Sequence, residues 1–215
     1  MSRQSGLPLF VKSAVDRTAA IVGLALAAPV LIATAAAIRL TMGGPVLFVQ
    51  ERPGRGGKVL RVFKFRTMRE ASGPDGEPLP DGDRLTPLGR FLRSSSIDEL
   101  PQLLNVASGK LSLVGPRPLL LRYLPRYTPT QARRHEVLPG MTGWAQVKGR
   151  NAISWEEKFE LDVWYVDHWS LGLDLKILGL TVLQVIRRQG ISAGNHATMP
   201  EFAVPEDRER KAPPP

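Results

Sequence analysis

The stretch from Arg93 to Pro118 carries two adjacent carboxylates, Asp98 and Glu99, ahead of Pro101 and the apolar residues Leu103, Leu104 and Val106. It closes in a tight turn, Gly115-Pro116-Arg117-Pro118. A carboxylate can attack phosphorus or bind a metal, and a guanidinium fork matches phosphate geometry. Proline suits the first turn of a helix, and the residue before it is biased out of the helical region. Asp98 and Glu99 are therefore expected at a helix N-terminus, where partly positive amides favour negative charge. The same residues have a structural reading. Ser96-x-x-Glu99 scans as a capping box, and acids are common at helix starts.

The chain that must position these groups has 215 residues, room for one domain and an appendage. Its 43% hydrophobic content excludes wholesale disorder, and its formal charge of +9 points to anionic partners such as phosphates, acidic lipid head groups or nucleic acid. With no cysteine, disulfides and thiolate metal sites are excluded. His135, His168 and His196 lack ligand-like spacing, and no zinc motif is present.

Residues 18–38 carry no charge, about the length of a membrane-spanning helix. Three readings compete: a signal peptide, a transmembrane helix, and a re-entrant hairpin that enters and leaves by one face. Pro29 lies at the centre of the run, and basic residues flank both ends: Lys12 and Arg17 before it, Arg39, Arg52, Arg55 and Lys58 after it. Cations prefer the cytoplasmic side, so the flanks favour the hairpin, with Pro29 as its break. Residues 1–42 are thus assigned as a re-entrant membrane anchor, 43–200 as the main folded domain and 201–215 as a disordered tail.

Beyond Gly43-Gly44-Pro45, strands are predicted at Val46 to Gln50 and Val59 to Arg66, joined by a turn at 53–57. The second strand brings Arg61, Lys64 and Arg66 close together. Residues 71–83 read as a mobile surface loop. Residues 119–137 mix leucines and tyrosines with arginines, which suits either a surface on lipid head groups or a domain surface packing on itself. Trp144 to Lys148 reads as a short strand after a loop at 139–143. Helices are predicted at Trp155 to Trp169 and Leu173 to Arg188, the latter with Arg187 and Arg188 at its C-terminal end.

Seven blocks then stand in one order: GGPVLFVQERPGRGGK (43–58), FKFRTM (63–68), RLTPLGRFLR (84–93), SIDELPQLLNV (96–106), LSLVGPRP (111–118), PGMTGWAQVKGR (139–150) and DVWYVDHWSLGLDLKIL (162–178). Together they resemble the bacterial sugar transferases known as monotopic phosphoglycosyl transferases, over nearly all of Lys12 to Gln189. The resemblance implies transfer of a phosphosugar from a UDP-sugar to undecaprenyl phosphate, with release of UMP, at the cytoplasmic face of the bacterial inner membrane. This is the first membrane step of glycan assembly. It implies an α+β fold: an N-terminal helix-break-helix in the phospholipid bilayer, a small antiparallel sheet, and amphipathic interfacial helices. The acidic dyad falls on Asp98 and Glu99, the basic phosphate-binding positions on Lys64, Arg93, Arg117 and Arg150, and the re-entrant break on Pro29. One departure is Ala28, where a Ser-Pro pair is often found.

On this assignment Asp98 attacks the sugar-bearing phosphorus, Glu99 handles the incoming phosphate's proton or supports a metal, and Mg2+ bridges the diphosphate to Asp98. The sugar is not specified, with a lean toward an N-acetylated amino sugar; oligomeric state is not specified either. An alternative from another class is a membrane-anchored basic protein that binds anionic lipid or nucleic acid without catalysis. No nucleic-acid motif accompanies the basic clusters, so nucleic acid is not expected as a partner. A regulator that has lost activity is disfavoured by the intact Asp98, Glu99 and Arg117.

Overall fold

The computed structural model describes residues 4, 6–73, 75–77, 79–149, 153–186 and 202. Helix α1 (Gly6–Met42) is followed by strands β1 (Leu47–Pro53) and β2 (Val59–Phe65), which pair antiparallel in the register Phe48↔Lys64 and Arg52↔Leu60. Helices α2 (Asp81–Arg84), α3 (Pro87–Ser94) and α4 (Leu103–Ala107) come next, with a 3-10 helix at Ile97–Gln102 between the last two. Strand β3 (Ser112–Val114), helix α5 (Pro129–Ala132), strand β4 (Gly140–Thr142) and helices α6 (Trp144–Lys148), α7 (Trp155–His168) and α8 (Leu171–Ile186) complete the order. The fold is mixed helix and small sheets, and α1 is its one described helix long and apolar enough to cross a membrane.

Alanine-rich sequence keeps α1 helical for 37 residues, and the helix runs through Pro29 without interruption. The predicted helix-break-helix is therefore not a break in the helix. A proline removes one hydrogen bond and bends its helix, but good helix formers on both sides carry the spiral past it. Both halves of α1 pack on the same body. Ala20 joins a core with Leu60, Val62, Val106 and Leu111, while Ile38 joins Phe65 and Leu92. Between them the apolar surface is open, with Leu26 78% and Ile32 71% exposed.

Near its start α1 is pinned by charge. Lys12 donates to Asp174 (2.6 Å) and to the Val114 carbonyl (3.1 Å), and lies 3.5 Å from Asp16, which accepts from Ser112 Oγ (2.6 Å). Tyr165 and Trp169 also donate to Asp174. Lys12 is the one cation ion-paired to these two buried carboxylates among the described residues. Lys12→Met is expected to cost about 3 kcal/mol or more by leaving them uncompensated. For a chain of this size that lowers the thermal midpoint of detergent-solubilised protein by roughly 10 °C. An unchanged midpoint would show that the cluster is hydrated.

The two segments that differ most from expectation meet at the second sheet. β3 and β4 form a parallel pair of three residues each, Ser112↔Gly140 and Val114↔Thr142, where the sequence reads as loop at 139–143. The approach is close: a Cβ on Gly140 would stand 2.1 Å from the Gly115 nitrogen. Residues 144–148 form helix α6 rather than a strand. Trp144 and Val147, three apart, are both buried in the core with Tyr165, Val166, Trp169 and Ile177, and that spacing is helical.

Residues 119–137 pack on the domain itself. Leu119 and Tyr123 are buried with Trp155, Phe159 and Phe202. Phe202, within the expected tail, is buried in that cluster; the remainder of the tail lies outside the described residues, as do Arg187 and Arg188. Helix α8 buries Ile177 and leaves Leu175 and Val182 exposed.

Candidate active site

Strand and helix ends converge on one open cleft of about 1410 Å³. Lys64 enters from the end of β2, Arg93 from the last turn of α3, Asp98 and Glu99 from the 3-10 helix, and Arg117 from the turn after β3. Of the phosphate-binding residues expected from sequence, Lys64, Arg93 and Arg117 are brought together here. Arg150 lies outside the described residues.

The predicted capping box does not form. Ser96 sits in the left-handed region (φ 59°) and its side chain makes no cap. A 3-10 helix begins instead, with Glu99 N–H donating to the Ser96 carbonyl (3.2 Å). Side chains in such a helix diverge by about 120° per residue, so neighbours point to different partners. Glu99 accepts from Lys64 (2.6 Å) and from both terminal nitrogens of Arg117. Asp98, 9% exposed, takes another direction. The cleft is also lined by Glu70, Asp81 and Asp162, which pair with Arg66, Arg84 and Arg134 respectively. Among the described residues, Asp98 is then the one cleft carboxylate without an ion pair.

The framework holding these groups is polar and buried. Asn105 accepts from Phe63 N–H (3.1 Å) and donates to the Arg61 carbonyl (2.8 Å), which clamps α4 and the preceding 3-10 helix to the Lys64 strand. Thr86 caps α3 by accepting from Gly89 N–H (2.9 Å), and Arg93 Nε donates to Thr67 Oγ1 (3.1 Å). Only glycine fits at 89, because a Cβ would stand 1.9 Å from the Thr67 carbonyl oxygen. On the other wall, Arg134 pairs with Asp162 (2.7 Å) and donates to the Arg117 carbonyl (2.7 Å). Together with Pro116 and Pro118, this fixes the Arg117 turn.

The electrostatics separate the two acids. Burial, then the neighbouring Glu99 charge, lifts Asp98 to about 6 against the opposing pull of Lys64, Arg93 and Arg117. Burial acts upward on Glu99 too, but Arg117 and then Lys64, by charge and hydrogen bond, hold it well below the carboxylate range. Burial and then Arg117 push Lys64 down, partly offset by Glu99. Glu99 raises Arg117. Glu99 is a fixed anion that organises two cations; Asp98 is the exchangeable one. Such a pairing suits a nucleophile in a phosphate-binding pocket, while the low Glu99 makes a poor proton acceptor.

Two cleft residues do not stand out as such in the sequence. Arg52 reads there only as a basic flank, yet it shares a strand face with Phe48 and Gln50 at a period of two, and all three line the cleft. Lys158 lies one helical turn before Asp162 on α7, and burial lowers it to about 8. Arg61, close to Lys64 in the sequence, points to the opposite face and pairs with Glu51 (3.4 Å).

Residues 7–188 match the model of the family described as bacterial sugar transferase. The chain belongs to that family. It is a transferase of the phosphoglycosyl transferase type. The sugar transferase is 58% identical over 194 residues to the "Uncharacterized sugar transferase EpsL" of Bacillus subtilis (strain 168), with 90% of this chain and 96% of that protein covered. A UDP-glucose:undecaprenyl-phosphate glucose-1-phosphate transferase of Caulobacter vibrioides is 44% identical, covering 80% of this chain and 68% of its own length. A UDP-N-acetylgalactosamine-undecaprenyl-phosphate N-acetylgalactosaminephosphotransferase of Aeromonas hydrophila is 38% identical, covering 82% and 44%. The sugar transferase therefore spans nearly all of the first of these relatives and less than half of the last.

Proposed function

We propose that this sugar transferase moves a phosphosugar from a UDP-sugar to undecaprenyl phosphate through a covalent ester on Asp98. UMP and a polyprenol-diphosphate sugar are the products, and the step opens assembly of a bacterial glycan. The observation that carries this reading is Asp98 itself: a buried cleft carboxylate, without an ion pair among the described residues, set among Lys64, Arg93 and Arg117. In the first step an Asp98 oxygen attacks the sugar-bearing phosphorus; the bond to the UMP oxygen breaks and UMP leaves with the electron pair. In the second, an oxygen of the lipid phosphate attacks the same phosphorus, the aspartyl oxygen–phosphorus bond breaks, and the carboxylate is restored. Lys64, Arg93, Arg117 and Arg150 take up charge on the non-bridging oxygens. Glu99 holds Lys64 and Arg117 in position.

Among the described residues there is no cluster of three metal-ligating side chains. Asp98, a single cleft carboxylate without an ion pair among the described residues, fits a magnesium ion held by one carboxylate and the substrate's own phosphate oxygens, the usual manner for this ion. Asp98 would hold it, and it would neutralise diphosphate charge. The bilayer is the second partner. Both halves of α1 contact one body, which supports a helix that dips into the membrane from the cytoplasmic face rather than one whose ends lie on opposite sides. The exposed apolar residues of α8 suit the interface.

The test uses purified detergent-solubilised protein, Mg2+ and a panel of UDP-sugars without lipid phosphate. UMP release with a mass gain of one phosphosugar is expected, and the sugar that loads names the substrate; the relatives' names include both glucose and N-acetylgalactosamine. Turnover that needs lipid phosphate and yields no adduct would instead mean direct displacement. The pH dependence is a second check. Loading needs ionised Asp98, which burial lifts to about 6 in the metal-free protein and a bound cation would pull back down, so the single-turnover rate should fall from pH 7 to pH 5 by up to about tenfold. A flat profile across that range rejects Asp98 as the titrating nucleophile.

A further inference from the structure

Arg52 is an unusual cation for its place. Its guanidinium donates to the side-chain oxygen of Gln50 (3.0 and 2.5 Å) and to the carbonyl of Pro118 (3.4 Å), and no carboxylate pairs with it among the described residues. The nearby acid, Glu99, is taken by Lys64 and Arg117. Arg52 lines the same cleft as Arg117, and burial and then the Arg117 charge pull it down to about 10. Two cations held together in one cleft repel unless an anion joins them. Neutral Gln50 aims the fork without neutralising it.

The position along the strand indicates which anion. Phe48, Gln50 and Arg52 form one face of β1, and Phe48 stands opposite Lys64. Leu47, Phe48 and Val49 are exposed, so the Lys64 and Asp98 end adjoins open apolar surface. The Arg52 backbone lies four residues farther along, about 13 Å at the usual strand rise, and its guanidinium reaches back to the Pro118 carbonyl beside Arg117, which brings it within reach of the neighbouring phosphate of one diphosphate. A lipid phosphate approaching along the apolar side meets Lys64, Arg93 and Asp98 first. The Arg52 end is left for the phosphate that departs with the nucleoside.

We propose that Arg52, oriented by Gln50 and set beside Arg117, is the seat of the nucleotide-side phosphate of the UDP-sugar and of product UMP. The proposal rests on the phosphosugar-transfer reading and adds to it a binding residue and its orienting partner.

The test titrates full-length solubilised protein with UMP and, separately, with a short-chain polyprenyl phosphate, alongside thermal midpoints. Arg52→Ala should weaken UMP about tenfold or more, the usual loss for a hydrogen bond to a charged group, with polyprenyl phosphate moved far less. Arg52→Lys, a point charge without a fork, should fall between. Because Arg52 also braces Pro118, Gln50→Glu is the deciding variant. It keeps the hydrogen-bond geometry but sets a carboxylate on the guanidinium, so UMP affinity should drop while the midpoint holds or rises. Unchanged UMP affinity in Gln50→Glu would make Arg52 a structural brace and overturn the proposal. Loss of polyprenyl phosphate binding with UMP intact would overturn it in favour of the lipid phosphate. A wild-type protein that binds no UMP also overturns the seat. One that binds UMP, yet releases none from any UDP-sugar, overturns the transfer reading alone.

Discussion

Asp98→Asn should abolish loading from the UDP-sugar, with a loss on the order of 10³-fold or more in UMP release, and should make the protein more stable. Removing a nucleophile eliminates the covalent route, so the phosphosugar adduct should vanish from the intact mass along with turnover. The stability gain follows from the same burial that serves the chemistry. Asp98 ionises near 6 in the fold rather than at 3.8, so the native state binds the extra proton between those values. Its stability contribution is present below about pH 4 and is lost as pH rises through 6. At neutral pH the ionised group costs up to about 3 kcal/mol, because each tenfold change in proton affinity is worth about 1.4 kcal/mol. Asparagine cannot ionise, so the variant's thermal midpoint should exceed that of the wild type at pH 7.5, with the difference shrinking toward pH 4. A variant that melts lower than wild type at pH 7.5 would contradict the buried, unpaired carboxylate.

Arg117→Ala should lower kcat/KM on the order of 10³-fold, and Arg117→Lys about 10²-fold, because a transition-state donor is lost in the first and only its planar fork in the second. The two also differ in stability. Arg117 is one of two cations on Glu99, and burial pulls Glu99 upward once that charge is gone. Arg117→Ala should therefore destabilise the fold and lift the Glu99 pKa, whereas Arg117→Lys should spare much of both. The double variant Arg117→Ala, Glu99→Gln separates the roles. With Arg117 gone Glu99 still pairs with Lys64 (2.6 Å), so replacing it strips Lys64 of its carboxylate and should restore neither the midpoint nor activity. Recovery of turnover in the double variant would place Arg117 as a support for Glu99 and not as a phosphate donor.

Much of this site is legible without coordinates. Asp98, Lys64, Arg93 and Arg117 are marked by residue type and by their place in ordered blocks, and the fold gathers all four. The capping box is the exception. Ser96-x-x-Glu99 has the right letters, but a left-handed Ser96 and a 3-10 helix turn the Glu99 side chain toward Lys64 and Arg117 instead. Arg52 escapes notice because its signal is the two-residue alternation with Phe48 and Gln50, and flank charge obscures it.

Elements whose periodicity is long and local can be read directly from the chain: the uncharged run that becomes α1, the β1–β2 hairpin, and helices α7 and α8. Each is specified by neighbours within a few residues, so pattern suffices. Tertiary structure alone decided what depends on distant partners. The β3–β4 pair joins residues some thirty positions apart with three residues on each side, too little for any local signal. Helix α6 is set by the core that receives Trp144 and Val147. The division between Asp98 and Glu99 is of the same kind. Two adjacent acids of like chemistry become a reactive group and a fixed anion because Lys64 and Arg117 arrive from separate segments and can satisfy only one of them.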